Sequence, residues 1–450
     1  MHKTLKHLIK YQKIYLMIIL ILVLTLPNLL RWTDNNPTLI GAPSYYYLNV
    51  IKEIDSFTLY DNLYLSLLAV NFNHSLFFFK LIPFILGILS TLLLINIIKK
   101  LGLSPKNQFF FLTFLILSPA FIYTFTVLNH YSLFIFLLFL GFFLLLNQNN
   151  FLNHLSWPVF LIIPFFDISS SLLTLLLLGA YYWIKKDPKI KIPVLVVAIS
   201  ALFNFKKPLL LGPYHSQDLI INFFSDLGGL FGISLFVILL ASIGILATWK
   251  KDKFFLNYFF LSLLVLLSIY HTSTIIYLNL IVVSLAALGI NYLIEREWKI
   301  KTIKNITLFL LLLGIIFSAL SIIDSLSKLS PSPAIAESLT QMREDTPSYK
   351  LVFTHPQDSY IMEYYSGRPA FIHYHDSDFR KREKIVKQAL NSTYIEETFP
   401  LFKFNDISHI YLSPQITADL PTEQGLLFLL QNERFKRIYS QKGIEIWEFE

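Results

Sequence analysis

The feature that most restricts this chain is its succession of long apolar runs. Stretches such as 14–30 and 231–246 approach or reach the ~20 residues that a helix needs to cross a bilayer. With 450 residues, ordinary composition would suggest about three soluble domains, but 55% of the residues are hydrophobic and only 15% charged, and the mean hydropathy is +0.58. A single soluble core cannot bury 42 Phe and 24 Tyr, so the sequence reads as a polytopic α-helical membrane protein. The absence of cysteine excludes disulfides, thiolate metal sites and cysteine nucleophiles. A net charge of +8 would ordinarily raise nucleic acid as a partner. In a membrane protein, however, topology is the first determinant of where Lys and Arg sit, so no nucleic-acid partner is expected.

Apolar runs bounded by charges or turn residues place eleven spans, at 14–30, 77–98, 109–128, 132–147, 155–166, 168–184, 192–205, 229–248, 255–270, 275–294 and 306–323. Lys3, Lys6, Lys10 and Lys13 precede the first of them and set the N-terminus in the cytoplasm. No small-residue cleavage site follows the first run, which passes through Pro27 into Arg31 and Trp32, so it reads as a retained span. Region 155–184 contains Pro158, Pro164 and Asp167, and is short for two spans but long for one. Counted as two crossings, it gives 18 Lys and Arg inside against 5 outside; counted as one, it gives 9 inside and 14 outside. The positive-inside rule selects two crossings and puts the C-terminal tail on the outer face.

Composition changes abruptly after the last span. Residues 1–324 form the expected transmembrane domain, 325–333 a Ser/Pro/Leu linker, and 334–450 a small extracytoplasmic α/β domain. Within the tail, helices are expected at 334–342, 359–365, 379–389 and 424–432, and strands at 350–354 and 407–412. A hairpin of 435–440 and 444–449 closes around Gln441-Lys442-Gly443.

Two outer loops are long, 31–75 and 206–227, and long loops on one face commonly build its functional site. The first carries Asp34, Glu53, Asp55 and Asp61, the triplet Tyr45-Tyr46-Tyr47, and a segment, 45–54, able to form a helix along the membrane surface. A carboxylate at such a rim can serve as general base, or can hold a divalent cation, Mg or Mn, against a lipid phosphate. The same acids also read as a solvated loop, and the tyrosines as an interfacial belt. Lys206 and Lys207 lie outside beside Pro208, suited either to clamp a phosphate leaving group or to snorkel toward headgroups. His130, in an outer turn, is a candidate substrate contact or an interfacial turn residue. Asp226 reads first as a helix cap, and His373 and His375 read as members of a polar turn before a helix rather than a metal pair.

The arrangement resembles the GT-C class of membrane glycosyltransferases, which use polyprenyl-phosphate-linked sugars and include oligosaccharyltransferases and protein mannosyltransferases. The resemblance is carried by the short cytoplasmic head, the single span and the acidic outer loop with Tyr45-Tyr46-Tyr47-Leu48. It extends to Tyr60-Asp61-Asn62-Leu63, Ser118-Pro119-Ala120-Phe121-Ile122-Tyr123 and Ser225-Asp226-Leu227-Gly228-Gly229. The stretches Tyr292-Leu293-Ile294-Glu295-Arg296-Glu297-Trp298 and Gly443-Ile444-Glu445-Ile446-Trp447-Glu448 are similar to archaeal multi-spanning proteins of this type.

The resemblance implies a hexosyltransferase of the cell membrane that passes a sugar from a polyprenyl phosphate to an outer-face acceptor. Membrane lipid would be its surroundings, and the tail would bind acceptor or other membrane proteins. In the class, the essential acid typically lies in the first loop, often directly before the Tyr-rich helix. Here Gly41-Ala42-Pro43-Ser44 stands at that place, so Asp34 and then Asp61 become the catalytic candidates. Tyr45, Tyr46, Lys206, Lys207 and His130 become the substrate contacts. The rival reading is a non-catalytic GT-C-like scaffold or assembly subunit that binds lipid or partner proteins.

Overall fold

The computed structural model describes residues 10–53, 64–65, 68, 76–166, 168–186, 188–204, 219–250, 254–270, 274–347, 349–374, 376, 378–420 and 425–449. The chain divides into two compact units. The first comprises Met1–Arg31 and Phe57–Ser327, and the second Trp32–Ser56 and Lys328–Glu450. The second unit thus takes a piece of the first outer loop as well as the tail.

The first unit is helical. Four helices are long and apolar enough to cross a membrane: α1 (Gln12–Thr33), α3 (Leu76–Lys100), α12 (Ile275–Glu295) and α13, which begins at Lys301 and runs as Lys301–Lys328. A fifth arises if α4 (Pro105–Ile116) and α5 (Pro119–Thr126), bent by 59°, are counted together. The bend has a local cause. Pro119 cannot donate a backbone hydrogen bond, and Ser118 ends one helix and caps the next by accepting from the Phe121 N–H. Asn279 of α12 donates to Ser118 Oγ at 2.8 Å, which ties the break to its neighbour.

Among the described residues, the other apolar runs hold shorter helices rather than spans of full length. They are α6 (His130–Leu145), α7 (Ser156–Ile162), α8 (Ile168–Lys185), α9 (Lys191–Asn204), α10 (Leu235–Thr248) and α11 (Phe255–Tyr270). A 3-10 turn, Ile163–Phe165, follows α7, so region 155–184 is broken into separate helical segments. Asp167 lies outside the described residues. Asp226 accepts from the Leu235 N–H at the start of α10 and from the Ser318 hydroxyl, the capping role its position suggested.

The α10 and α12 helices are in closest contact at two glycines. A Cβ on Gly244 would overlap the Leu285 carbonyl, and one on Gly289 would overlap the Leu240 carbonyl. Between apolar helices in lipid, such backbone approach supplies packing energy where the hydrophobic effect supplies little.

The second unit contains helix α2 (Ala42–Glu53) and, after the last long helix, α14 (Pro333–Asp345), α15 (Ser359–Ser366), α16 (Phe379–Asn391) and α17 (Ile395–Phe404). Its sheet has the order β1-β2-β4-β3, with β1 (Leu351–Phe353) parallel to β2 (Ile407–Leu412), and β4 (Ile444–Phe449) antiparallel to both β2 and β3 (Phe435–Gln441). Lys442 and Gly443, at φ 54° and 75°, make the tight hairpin turn between β3 and β4. Phe353, Ile372, Phe402, Ile410 and Leu426 pack the core between sheet and helices.

The strands lie where the alternation placed them. The helix expected at 424–432 contracts to Leu426–Leu429, and α17 and the short helix Pro414–Asp419 were not expected. In α17 the interior Pro400 conceals the helix from a propensity reading, because it removes an intrahelical donor.

The glycine contact makes a prediction. Replacing Gly289 with leucine should cost about 1–3 kcal/mol by overpacking and lower the thermal midpoint of the protein in detergent. Gly179, with nothing within 4 Å of a built Cβ, should accept alanine without loss. Equal midpoints for the two variants in a thermal-shift assay would contradict the proposed packing.

Candidate functional site

The first outer loop is stitched to the linker behind α13. The Asn36 side-chain amide donates to Pro331 O at 3.0 Å, the Thr38 hydroxyl contacts Asn36 Oδ1 at 2.6 Å, and the Gly41 N–H donates to Ser330 O at 3.0 Å. These bonds deliver α2 onto α15, and two tyrosine-rich helices meet. Tyr45 is fully buried. Its hydroxyl receives the Leu39 N–H at 3.1 Å and lies 3.0 Å from the Tyr365 hydroxyl, while its ring meets the Tyr364 ring edge-on at 5.1 Å. Tyr46 is half-buried and meets Tyr360 edge-on at 5.2 Å, and Tyr360 in turn lies 5.3 Å from the His373 ring. Burial raises the pKa of both Tyr46 and Tyr364, keeping these phenols neutral.

A polar network runs through this aromatic wall. Asn49 of α2 donates to Tyr360 O at 2.9 Å and to Glu363 Oε2 at 3.3 Å. His373 Nε2 lies 3.0 Å from the same Glu363 oxygen, and a carboxylate only accepts, so Nε2 carries the proton. Asp376 accepts from the His373 N–H at 2.8 Å and from Arg382 at 3.3 Å. Burial pulls the His373 pKa down, but the Glu363 hydrogen bond and the charges of Glu363 and Asp376 prevail and hold it above the ordinary histidine value. Lys52 lies 3.6 Å from the Tyr364 ring centroid and donates to Tyr364 O at 3.3 Å. Burial and the Arg343 charge lower the Lys52 pKa against an opposing contribution from Glu363.

The structure therefore brings Tyr45 and Tyr46 together with residues of the tail. Asp34 sits exposed in the turn after α1, within the same unit. His130 opens α6 in the first unit, its ring 4.0 Å from that of Tyr131. Asp61, Lys206, Lys207 and His375 lie outside the described residues. Glu363, Asn49 and the tyrosines of α15 were not singled out from the sequence; the available signal was the Tyr364-Tyr365 pair, which echoes the triplet of the loop. Among the described residues, no three His, Asp or Glu side chains are placed to hold a metal ion, and His373 and Asp376 take part in the ion-pair network instead.

Asp358, just before α15, is a buried acid. Burial pushes its pKa up to about 6, against a smaller opposing effect of the Ser413 hydrogen bond. The folded protein thus binds this proton more tightly than the unfolded chain does. That contribution to stability is complete below the unfolded value near 4 and is lost as pH rises through about 6. Asp358→Asn should stabilise the protein at pH 7.5 by up to roughly 3 kcal/mol, and the gain should vanish by about pH 4. Thermal midpoints of both proteins across that range test it, and a gain independent of pH would refute the linkage.

Comparison with solved structures gives the fold a class. The oligosaccharyltransferase of Archaeoglobus fulgidus, tethered to an acceptor peptide containing the NVT sequon, matches over 98% of this chain and 74% of its own length. The TM-score is 0.57 and the sequence identity 11%. Its complex with Zn and sulfate matches over 96% and 72% at TM-score 0.54 and 12% identity. Its complex with an inhibitory peptide and a dolichol-phosphate matches over 98% and 75% at TM-score 0.50 and 11% identity. The chain shares the fold of this oligosaccharyltransferase. No family model matches the sequence, and no curated protein does.

Proposed function

We propose that this chain is a GT-C membrane glycosyltransferase that passes a sugar from a polyprenyl-phosphate-linked donor to an acceptor on the outer face of the cell membrane. The observation that carries this reading is the fold match, which extends over 98% of the chain rather than over its apolar helices alone. The matched oligosaccharyltransferase has been solved with an acceptor peptide and with a dolichol-phosphate, which supports a lipid-linked donor here as well.

In this reading the chain crosses the membrane eleven times from a cytoplasmic N-terminus, and 334–450 stands outside as the domain that meets acceptor or membrane-protein partners. The distribution of Lys and Arg supports that orientation. Asp34 and Asp61 serve the donor side, as a base or as holders of a divalent cation such as Mg or Mn. Lys206 and Lys207 clamp the departing phosphate. Tyr46 and His130 supply contact surface, and Tyr45 fixes the loop behind Tyr46.

A second reading is favoured by one observation. The Tyr-rich helix begins with Ala42-Pro43-Ser44, and Ser44 spends its hydroxyl on Ile40 O at 2.7 Å, so no acid stands there. A scaffold or assembly subunit that binds lipid or partners would need none.

Mass spectrometry separates these readings. The purified protein, in mild detergent, is incubated with a lipid-linked sugar extract of its source organism's membranes. The transferase reading expects loss of sugar from bound polyprenyl phosphate, and a fall of about 10²-fold or more in the Asp34→Asn, Asp61→Asn double variant. Bound polyprenyl lipid without turnover would favour the scaffold, and absence of such lipid would refute both.

A further inference from the structure

We infer that Glu363 is a general base of the proposed transfer, receiving the proton of the acceptor group as that group attacks the donor sugar. The inference rests on the transferase reading and adds a residue to it.

Such a base must be a carboxylate or imidazole that is fixed in place yet reachable by substrate. Besides Asp34, assigned above to the donor side, Asp358 is 5% exposed and out of reach, and Asp376 is committed to Arg382 and the His373 N–H. The Glu363 side chain is 25% exposed and held from two sides. Both of its hydrogen bonds, from Asn49 and from His373, fall on Oε2. Among the described residues, no hydrogen bond is made to Oε1, so one oxygen anchors the group while the other remains for an acceptor. Beside it the half-buried Tyr46, backed by the buried Tyr360, offers an aromatic edge to a sugar ring or peptide.

The step balances without a redox partner. The acceptor oxygen or nitrogen forms a bond to the anomeric carbon, and the bond from that carbon to the phosphate oxygen breaks. The electron pair of the broken bond leaves on the lipid phosphate. The acceptor proton moves to Glu363 Oε1, from which water removes it. His373 acts through Glu363 and is a positioning residue.

The test uses full-length protein in detergent with the same lipid-linked sugar extract and its acceptor fraction. Glu363→Gln, which keeps the shape and accepts both hydrogen bonds, should lower kcat by about 10²-fold or more with KM changed by less than about threefold, and should abolish the acid limb of the rate–pH profile. His373→Gln retains a donor for Oε2 and should lower kcat by less than Glu363→Gln does, with KM little changed. A folded Glu363→Gln protein with kcat within about threefold of wild type would overturn the assignment while leaving the transferase reading intact. A wild-type protein that transfers no sugar would overturn both. If Glu363→Gln does not fold, Glu363→Asp decides: a fall of about tenfold or more supports the base, and an unchanged rate and profile overturns it.

Discussion

Backbone N–H and C=O groups in hydrocarbon have no water to pair with, and every other feature of the first unit answers to that constraint. Helices satisfy it along the apolar runs, and it becomes demanding wherever a helix stops. At the break between α4 and α5, Ser118 receives the Phe121 N–H and donates to Leu115 O at 2.7 Å, and Asn279 supports Ser118 from α12. Where α5 ends, Asn129 donates to Thr124 O and Val127 O, and its side-chain oxygen accepts the Ser132 N–H that begins α6. Two short polar side chains thus supply partners to backbone groups at both turns. The glycines of α10 and α12 serve the same environment differently, by letting two backbones approach where lipid gives little reason for side chains to associate.

The second unit is organised by ordinary aqueous physics, with an α/β core of Phe353, Ile410 and Phe402 behind a polar, aromatic surface. Its particular feature is the recruitment of α2. A helix of 12 residues cannot hold itself in water, and most of its stability must come from what it packs against. Here that support is α15, through Asn49 and the paired tyrosines. The arrangement gathers hydroxyl, amide, imidazole and carboxylate groups within one aromatic patch.

Much of the local structure was legible in the sequence. The apolar runs correspond to helices, Asp226 caps α10, and the Lys442-Gly443 turn closes the hairpin, whereas the run 109–128, which reads as one span, is broken at Ser118-Pro119. The helix α17 escaped notice because Pro400 argues against it locally, while Phe402 is buried in the core and Phe399 packs on Phe449. The triplet Tyr45-Tyr46-Tyr47 was recognisable as unusual, but its division into a buried Tyr45 and a half-buried Tyr46 depends on a partner helix that local pattern cannot supply.

Sequence by itself determined the solvent of each segment. Hydropathy fixes which residues must avoid water, and charge fixes which loops they join, because both are sums over neighbouring residues. The tertiary structure alone decided which polar groups converge. Asn49 bonds to Tyr360 across 311 positions of chain, and Glu363 gains its partners from α2 and from the turn at His373. No periodicity encodes such a meeting. It follows from burying apolar faces of distant segments against each other, with hydrogen bonds then selecting among the registers that this burial allows.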